Sequence, residues 1–465
     1  MYQQLFIAGH WRDAEHGATF DVEDPATGKS LGQVADASPA DALLALDAAV
    51  DAQADWAATA PRARSEILRR AFDLVMARQE ELATLMTAEM GKPLAEARGE
   101  VAYAAEFLRW FSEEAVRIGG DFLLAPDGRS RFLVSRAPVG PCILVTPWNF
   151  PMAMGTRKIG PAVAAGCTMV VKPAEQTPLT MLALAAILQE AGLPDGVLNV
   201  VTTSDPGPVI EPLLRDGRAR KLSFTGSTEI GRLLLAQSAG QVLRVSLELG
   251  GNAPFLVFPD ADLDAAVDGA MLAKMRNIGE ACTAANRFYV HDTVADEFTA
   301  ALTTRMAATE VGPLIDDAAV AKVTRLVDDA VRRGATVHTG GTPLPGPGHF
   351  YPPTVLSGVP EDADMRHVEI FGPVAAIATF TDEADAVRAA NDTEHGLVGY
   401  VYTQDIDRAL RVANALRTGM VGINQGIVSN PAAPFGGVKQ SGLGREGGRT
   451  GIEEFLDTRY FSLPA

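Results

Sequence analysis

From about residue 131 the chain alternates between short apolar runs and amphipathic stretches with helical spacing. FLVSRAPVGPCILVTPW reads as strand, turn and buried strand, and CTMVVKP as a strand. LTMLALAAILQEAG then reads as a helix, VLNVVTT and KLSFTG as strands, STEIGRLLLAQSAG as a helix, and VLRVSLELGG closes the series. Strands that are apolar along their whole length have no wet face. The rhythm therefore predicts an α/β fold, a mostly parallel sheet with helices on both sides. A second α/β run extends from about 252 to 440, with NAPFLVF and NRFYVH as strands and ADEFTAALTTRM and AVAKVTRLVDDAVRRG as helices. Upstream, residues 4–35 read as short strands joined by turns. A helix starts at Ser38-Pro39, with serine as cap and proline in the first turn. Residues 62–115 are helical with a break at Gly91-Lys92-Pro93. The closing LDTRYFSLP reads as a strand with nowhere obvious to pair, an arm that can add to another sheet, that of a partner subunit included.

A chain of 465 residues is too long for one core, so two or three domains are expected. The net charge of −18 disfavours nucleic acid and anionic membranes, and it requires any anion site to be built from locally placed cations. No apolar run of about 18 residues is present, and the N-terminal MYQQLFIAGHWRD lacks a basic start with an apolar stretch, so a cytoplasmic protein with no membrane span is expected. Three cysteines, an odd and sparse set, argue against a disulfide scaffold and for a reducing compartment. The seven histidines are scattered without metal-ligand spacing.

Several segments place reactive groups just after strands, where ligands sit in such sheets. FTGSTEIG (224–231) is strand, glycine turn and helix. Gly226 permits the tight turn, and the helix start with the Ser227 hydroxyl can hold a pyrophosphate, although the same pattern fits an ordinary β–α turn. In VVKPAEQTP (170–178), Lys172 can contact ribose or phosphate, and Glu175 can accept from ribose hydroxyls while repelling a 2′-phosphate. That reading favours NAD and leaves NADP open; the other reading is an exposed ion pair. TPWNFP (146–151) offers the Asn149 amide as a neutral donor for an oxyanion. LELGG (247–251) sets Glu248 beside two glycines after an apolar strand, a setting that raises a carboxyl pKa and suits a general base. NIGEACTAANR (277–287) puts Cys282 among small neighbours, whereas Cys142 and Cys167 sit in apolar strands as small hydrophobes.

These motifs, with EIFGPV and PFGGVKQSGLGRE, stand in the order characteristic of the aldehyde dehydrogenase superfamily, and the resemblance covers nearly the whole chain. Within it the chain is most similar to succinate-semialdehyde dehydrogenases, through GTRKIGPAVAAGCTMVVKP, KLSFTGSTEIGR, MRNIGEACTAANR and GINQGIVSNPAAPFGG. The resemblance implies a Rossmann-type parallel-sheet cofactor domain (1–122 and 142–250), a second α/β catalytic domain (251–440) and a small β oligomerisation arm (123–141 and 441–465), in a homodimer or homotetramer. It implies Cys282 as nucleophile, Glu248 as base and Asn149 as oxyanion donor. It places Thr146, Pro147, Trp148, Lys172, Glu175, Gly207, Phe224, Gly226, Ser227, Leu249, Glu369 and Phe371 at the cofactor, and gives Lys158 and Glu446 a proton-relay role. Arg157, Arg276 and Ser441 are the implied holders of a distal carboxylate, with structural ion pairing as the other reading of the arginines. The implied activity is NAD(P)-dependent oxidation of an acidic aldehyde, succinate semialdehyde first. Another acidic semialdehyde (glutarate, 2-oxoglutarate or phosphono) and a catalytically silent homologue are the alternatives.

Two departures stand out against that family. Ala284 occupies the position of a second cysteine that could form a redox disulfide with the nucleophile. RMAATEVGPLID (305–316) is about ten residues shorter than in relatives, which predicts a trimmed surface connection.

Overall fold

The computed structural model describes residues 2–465. Cys142–Val145 lies at the centre of an eight-stranded sheet, with Lys221–Thr225 and Met169–Lys172 beside it, Arg244–Glu248 beyond the first and Leu198–Val200 beyond the second. These five strands are parallel, and all their residues except Arg244 and Val245 are buried, as their largely apolar runs require. Antiparallel strands close both edges: the hairpin Leu5–Ile7 and His10–Arg12 beside Leu198–Val200, and Gly442–Leu443 beside Arg244–Glu248.

The second sheet has seven strands. Ala253–Val257 lies between Ala285–His291 and Val398–Tyr402, and Thr336–Thr339 is an antiparallel edge on an otherwise parallel array. The expected α/β class, with a Rossmann-like sheet and a second α/β unit, is what the chain adopts.

The first long helix, Pro39–Ala58, begins with a reciprocal cap. The Asp41 N–H donates to Ser38 Oγ at 3.2 Å and the Ser38 N–H to Asp41 Oδ2 at 3.0 Å. The helix Ala153–Ala165 is buried along its entire length, so it carries Arg157 and Lys158 into the interior. It packs on Leu94–Ala115, closely enough at Gly160 that a Cβ would lie 3.1 Å from the Phe111 ring. The N–H groups of Met152 and Ala153 donate to Glu100 Oε1 at 3.1 and 3.2 Å, and Glu100 also pairs with buried Lys92.

The structure supplies a partner for the closing strand and corrects two other sequence expectations. Leu456–Pro464 pairs within its own chain, antiparallel to Ser130–Pro138 over nine residues, and Asp121–Leu124 completes a three-stranded arm. The alternation of Ser130–Pro138, weak as a core signal, is that of a strand in a thin sheet. Gly442–Leu443, assigned above to the arm, belongs to the first sheet, because it hydrogen-bonds to the strand that ends in Glu248. The short segment before the helix Asp317–Arg332 is not merely a surface connection. Pro313, Leu314 and Ile315 are buried, and a Cβ at Gly312 would lie 2.0 Å from the Gly91 carbonyl oxygen. No helix among the described residues is long and apolar enough to cross a membrane.

Candidate active site

Three strands of the first sheet end at one place. The chain leaves Val145 into Pro147-Trp148-Asn149, Thr225 into Gly226-Ser227, and Glu248 into Leu249-Gly250. With the 276–283 turn and residues 369–371 of the second unit, these segments line a chamber of about 230 Å³. Cys282, Glu248, Asn149, Arg157 and Arg276 all face it.

The turn that presents Cys282 is unusual backbone. Asn277, Ile278 and Gly279 have φ of 55°, 62° and 77°. A left-handed asparagine and isoleucine in succession cost about 1–2 kcal/mol each, so surrounding bonds must hold them. Asn277 Nδ2 donates to the carbonyls of Asn149 at 3.0 Å and Glu280 at 2.9 Å, and its N–H donates to the Glu96 carboxylate. The LELGG segment approaches so closely that a Cβ on Gly251 would lie 2.2 Å from the Cys282 carbonyl oxygen. Glycine is required at that contact.

Asn149 is held at both ends of its amide. Its Oδ1 accepts the Phe150 N–H at 3.1 Å and its Nδ2 donates to Glu280 O at 3.0 Å. A carboxamide has two N–H donors, so one remains for the chamber. Burial pushes the Cys282 thiol up to about 12, with the Arg157 charge pulling the other way. Burial also drives the Glu248 carboxyl well above the usual range; Glu446 adds to the shift, and Arg157 and Lys158 oppose it. Glu248 Oε2 is buried without a hydrogen-bond partner. Burial at this site thus favours the neutral form of both groups, the thiol of Cys282 and the carboxyl of Glu248.

The two arginines are held differently. Arg157 Nε lies 3.0 Å from Glu446 Oε2, and its guanidinium stands 4.0 Å from the Phe435 ring centre. Its Nη2 is buried and has no partner. Lys158 pairs with the other oxygen of Glu446 and donates to Ser223 Oγ at 3.0 Å. That pairing keeps the Glu446 carboxyl low despite its burial. Arg276 Nη1 makes a 3.4 Å contact with Ser429 Oγ.

Residues expected at a cofactor divide into two groups. Pro147, Trp148, Gly226, Ser227, Leu249, Glu369 and Phe371 line the chamber. Trp148 and Phe371 meet edge-on with ring centres 5.4 Å apart. Ser227 caps the helix Thr228–Ser238 by accepting the Ile230 N–H. Thr146, Lys172, Glu175, Gly207 and Phe224 do not line it. Lys172 Nζ donates to Glu175 Oε2 at 2.9 Å, and Glu175 borders a separate depression of about 280 Å³ with Ser204, Ile315 and Asp316. Gly207 is exposed in the first turn of Pro206–Arg215. Phe224 is buried with its ring against Gly226, and Thr146 is buried with its N–H on the Lys172 carbonyl.

Ser441 is a correction. Its Oγ donates to Gly250 O at 2.7 Å and accepts the Gly396 N–H at 2.8 Å, it is fully buried, and it does not line the chamber. The hydroxyl ties the end of the Glu248 strand to a neighbouring loop. The serine that faces the chamber beside Arg276 is Ser429, inside the quoted GINQGIVSNPAAPFGG run but not singled out there. Lys322 was also missed. It lines the chamber near Glu369, on a helix whose sequence reads as an ordinary amphipathic one. Burial lifts Glu369 to about 7, with Lys322 and Lys274 opposing, and its Oε1 accepts the Gly251 N–H at 2.9 Å.

Two α/β units that bring a thiol from one and a carboxylate and a carboxamide from the other into a shared chamber define a class of two-lobed oxidoreductase. The aldehyde dehydrogenase family model matches residues 11–461, and the chain belongs to that family, whose members are NAD(P)-dependent aldehyde-oxidising enzymes. It is 59% identical to a succinate-semialdehyde dehydrogenase of Paenarthrobacter nicotinovorans, covering 93% of this chain and 98% of that one. It is 51% identical to a glutarate-semialdehyde dehydrogenase of Pseudomonas aeruginosa, covering 99% and 97%. A solved succinate-semialdehyde dehydrogenase of Burkholderia pseudomallei superposes with a TM-score of 0.98 at 50% identity, covering 100% of this chain and 98% of that one.

Proposed function

We propose that this protein oxidises an ω-carboxy aldehyde, succinate semialdehyde in the first place, to the acid through a thioester on Cys282. The observation that carries the reading is that Arg157 and Arg276 open onto the same chamber as Cys282 in a chain of net charge −18. An aldehyde whose far end is anionic meets two guanidiniums there, one with a buried N–H that has no partner. Similarity supports it, since relatives named for succinate and glutarate semialdehydes and for 3-sulfolactaldehyde (47% identical) all take an aldehyde with an acidic far end.

In this reading the Cys282 sulfur attacks the aldehyde carbon as its proton leaves through water, to Glu248 or to solvent under the pull of the bound cofactor's positive charge. The free N–H of Asn149 and the Cys282 N–H stabilise the oxyanion. Trp148, Glu369 and Phe371 would hold NAD(P) at the chamber, and the cofactor when bound would supply the hydride acceptor needed to reach the thioester. Glu248, once it has passed any thiol proton on to solvent, deprotonates a water that attacks the thioester, and the acid and the Cys282 sulfur are released. The residues fit a nicotinamide nucleotide. Glu369 has Oε2 unused for a ribose hydroxyl, Lys322 is a half-buried cation beside it, and Trp148 and Phe371 give an aromatic edge to the ring. Glu175, already on Lys172, favours NAD over a 2′-phosphorylated cofactor, although an Escherichia coli relative at 50% identity is named for NADP.

A homodimer or homotetramer completes the proposal. The arm leaves Phe122, Leu123, Leu124, Tyr460 and Phe461 exposed, an apolar face suited to a second copy. The deciding experiment for the activity is a kcat/KM panel over succinate, glutarate and 2-oxoglutarate semialdehydes and a neutral aldehyde of equal length. The acidic aldehydes are expected to lead, and equal values across the panel would reject the reading.

A further inference from the structure

We infer that Tyr103 is a specificity-positioning residue that clamps Arg276 as the principal anchor for the substrate's distal anion. This rests on the ω-carboxy aldehyde reading above. The two chamber arginines differ in electrostatic standing. Arg157 brings its own counter-ion, since Glu446 lies 3.0 Å from Nε and both side chains are buried. Arg276 forms no such pair with any described carboxylate. Glu96, whose carboxyl feels the Arg276 charge, accepts the Asn277 N–H and makes no ion pair with Arg276. Its one side-chain hydrogen bond is the long contact to Ser429 Oγ. A guanidinium without a counter-ion is the stronger attractor of an incoming carboxylate, and it has no ion pair to fix its direction.

Aromatic rings fix it instead. The Arg276 guanidinium carbon lies 5.5 Å from the Tyr103 ring centre and 4.9 Å from that of Phe150, both within cation–π range. Tyr103 is itself braced. On the helix Leu94–Ala115 it meets Phe107, one turn on, edge-to-face at 5.0 Å and 73°. Phe107 in turn underlies Arg157, whose guanidinium is 5.6 Å from its ring. One helix face therefore supports both anchors. Tyr103 also lines the chamber, so its ring bounds the space that the distal end of a substrate would occupy.

The test measures kcat and KM for succinate semialdehyde and for butanal in the full-length enzyme and in Tyr103→Phe, Tyr103→Leu and Arg276→Ala. Tyr103→Phe keeps the ring and is expected to stay within about twofold of the parent, while Tyr103→Leu raises KM for succinate semialdehyde about tenfold more than it raises KM for butanal. Melting temperatures of the variants show whether either substitution unfolds the chain, and the phenylalanine variant keeps the test open if leucine does. The inference is overturned if Tyr103→Leu changes both aldehydes alike, if it changes neither, or if Tyr103→Phe falls as far as Tyr103→Leu. Arg276→Ala separates the two levels. Failure to discriminate the aldehydes there removes the ω-carboxy reading itself, whereas discrimination by Arg276→Ala without discrimination by Tyr103→Leu removes only the clamp.

Discussion

Arg157 and Glu446 form a buried ion pair, Nε to Oε2 at 3.0 Å, on the wall of the chamber that holds Cys282. The same carboxylate takes Lys158 on its other oxygen. One acid thus balances two interior cations and leaves the Nη2 edge of Arg157 free.

That geometry sets an expectation for the anchors. Arg157→Ala and Arg276→Ala are each expected to raise KM for succinate semialdehyde by at least about tenfold relative to butanal, the scale of a charge-assisted hydrogen bond in a dry site. Arg157→Ala also strands Glu446 on Lys158 alone, so its melting temperature should fall further than that of Arg276→Ala. Steady-state kinetics on the two aldehydes, with thermal melts of the same preparations, check both statements.

Cys282 is half-buried, and the desolvation of its thiol has a signature in alkylation. With the thiol pushed up to about 12 in the cofactor-free protein, the rate of iodoacetamide labelling should keep rising with pH beyond about 8.5, the value of an ordinary thiol. A plateau at that ordinary value would mean that the sulfur is solvated.

Glu175→Gln tests cofactor choice. Removing the carboxylate beside Lys172 frees that cation for a 2′-phosphate, so the NADP/NAD ratio of kcat/KM should rise by about tenfold. An unchanged ratio would place the discriminating contact elsewhere.

Glu280, two residues before the nucleophile, is buried with one oxygen on the Ile315 N–H at 3.1 Å and the other without a partner. Burial raises its carboxyl well above the usual range. A group whose folded pKa lies above its unfolded value binds an extra proton in the native state. Its contribution is complete below the unfolded value, about 4.3 for Glu, and is lost as pH rises through the folded one. Glu280→Gln removes that loss. The melting temperature of the variant relative to the parent should therefore climb as pH rises above about 4.3. A difference independent of pH would show that Glu280 does not titrate with folding.

The parallel sheets were legible because their strands are apolar throughout and end in glycine- or proline-marked turns, as Val145-Thr146-Pro147 and Leu249-Gly250-Gly251 show. Local pattern could also place Asn149, Glu248 and Cys282 just beyond strands. It could not show that turns from two units face one chamber, since that depends on contacts such as Gly251 against the Cys282 carbonyl. The misreading of Ser441 for Ser429 has the same origin. Both serines lie in the C-terminal run, and only the path of the chain decides which hydroxyl ties Gly250 to Gly396 and which meets Arg276. The pairing of Leu456–Pro464 with Ser130–Pro138 joins residues more than three hundred positions apart, beyond the reach of any local signal. The short 308–316 connection looked peripheral because deletions are usually tolerated at the surface, yet Ile315 supplies the N–H that holds Glu280.

The central claim is that Cys282 carries the acyl group and Glu248 releases it. Rapid mixing of Glu248→Ala with NAD and succinate semialdehyde, followed by absorbance of the reduced nicotinamide and by mass spectrometry of the Cys282 peptide, tests it most directly. The account requires a burst of one reduced cofactor per chain, then slow turnover, with a succinyl group on Cys282. Undiminished steady turnover, or a burst that leaves Cys282 unmodified, would contradict it.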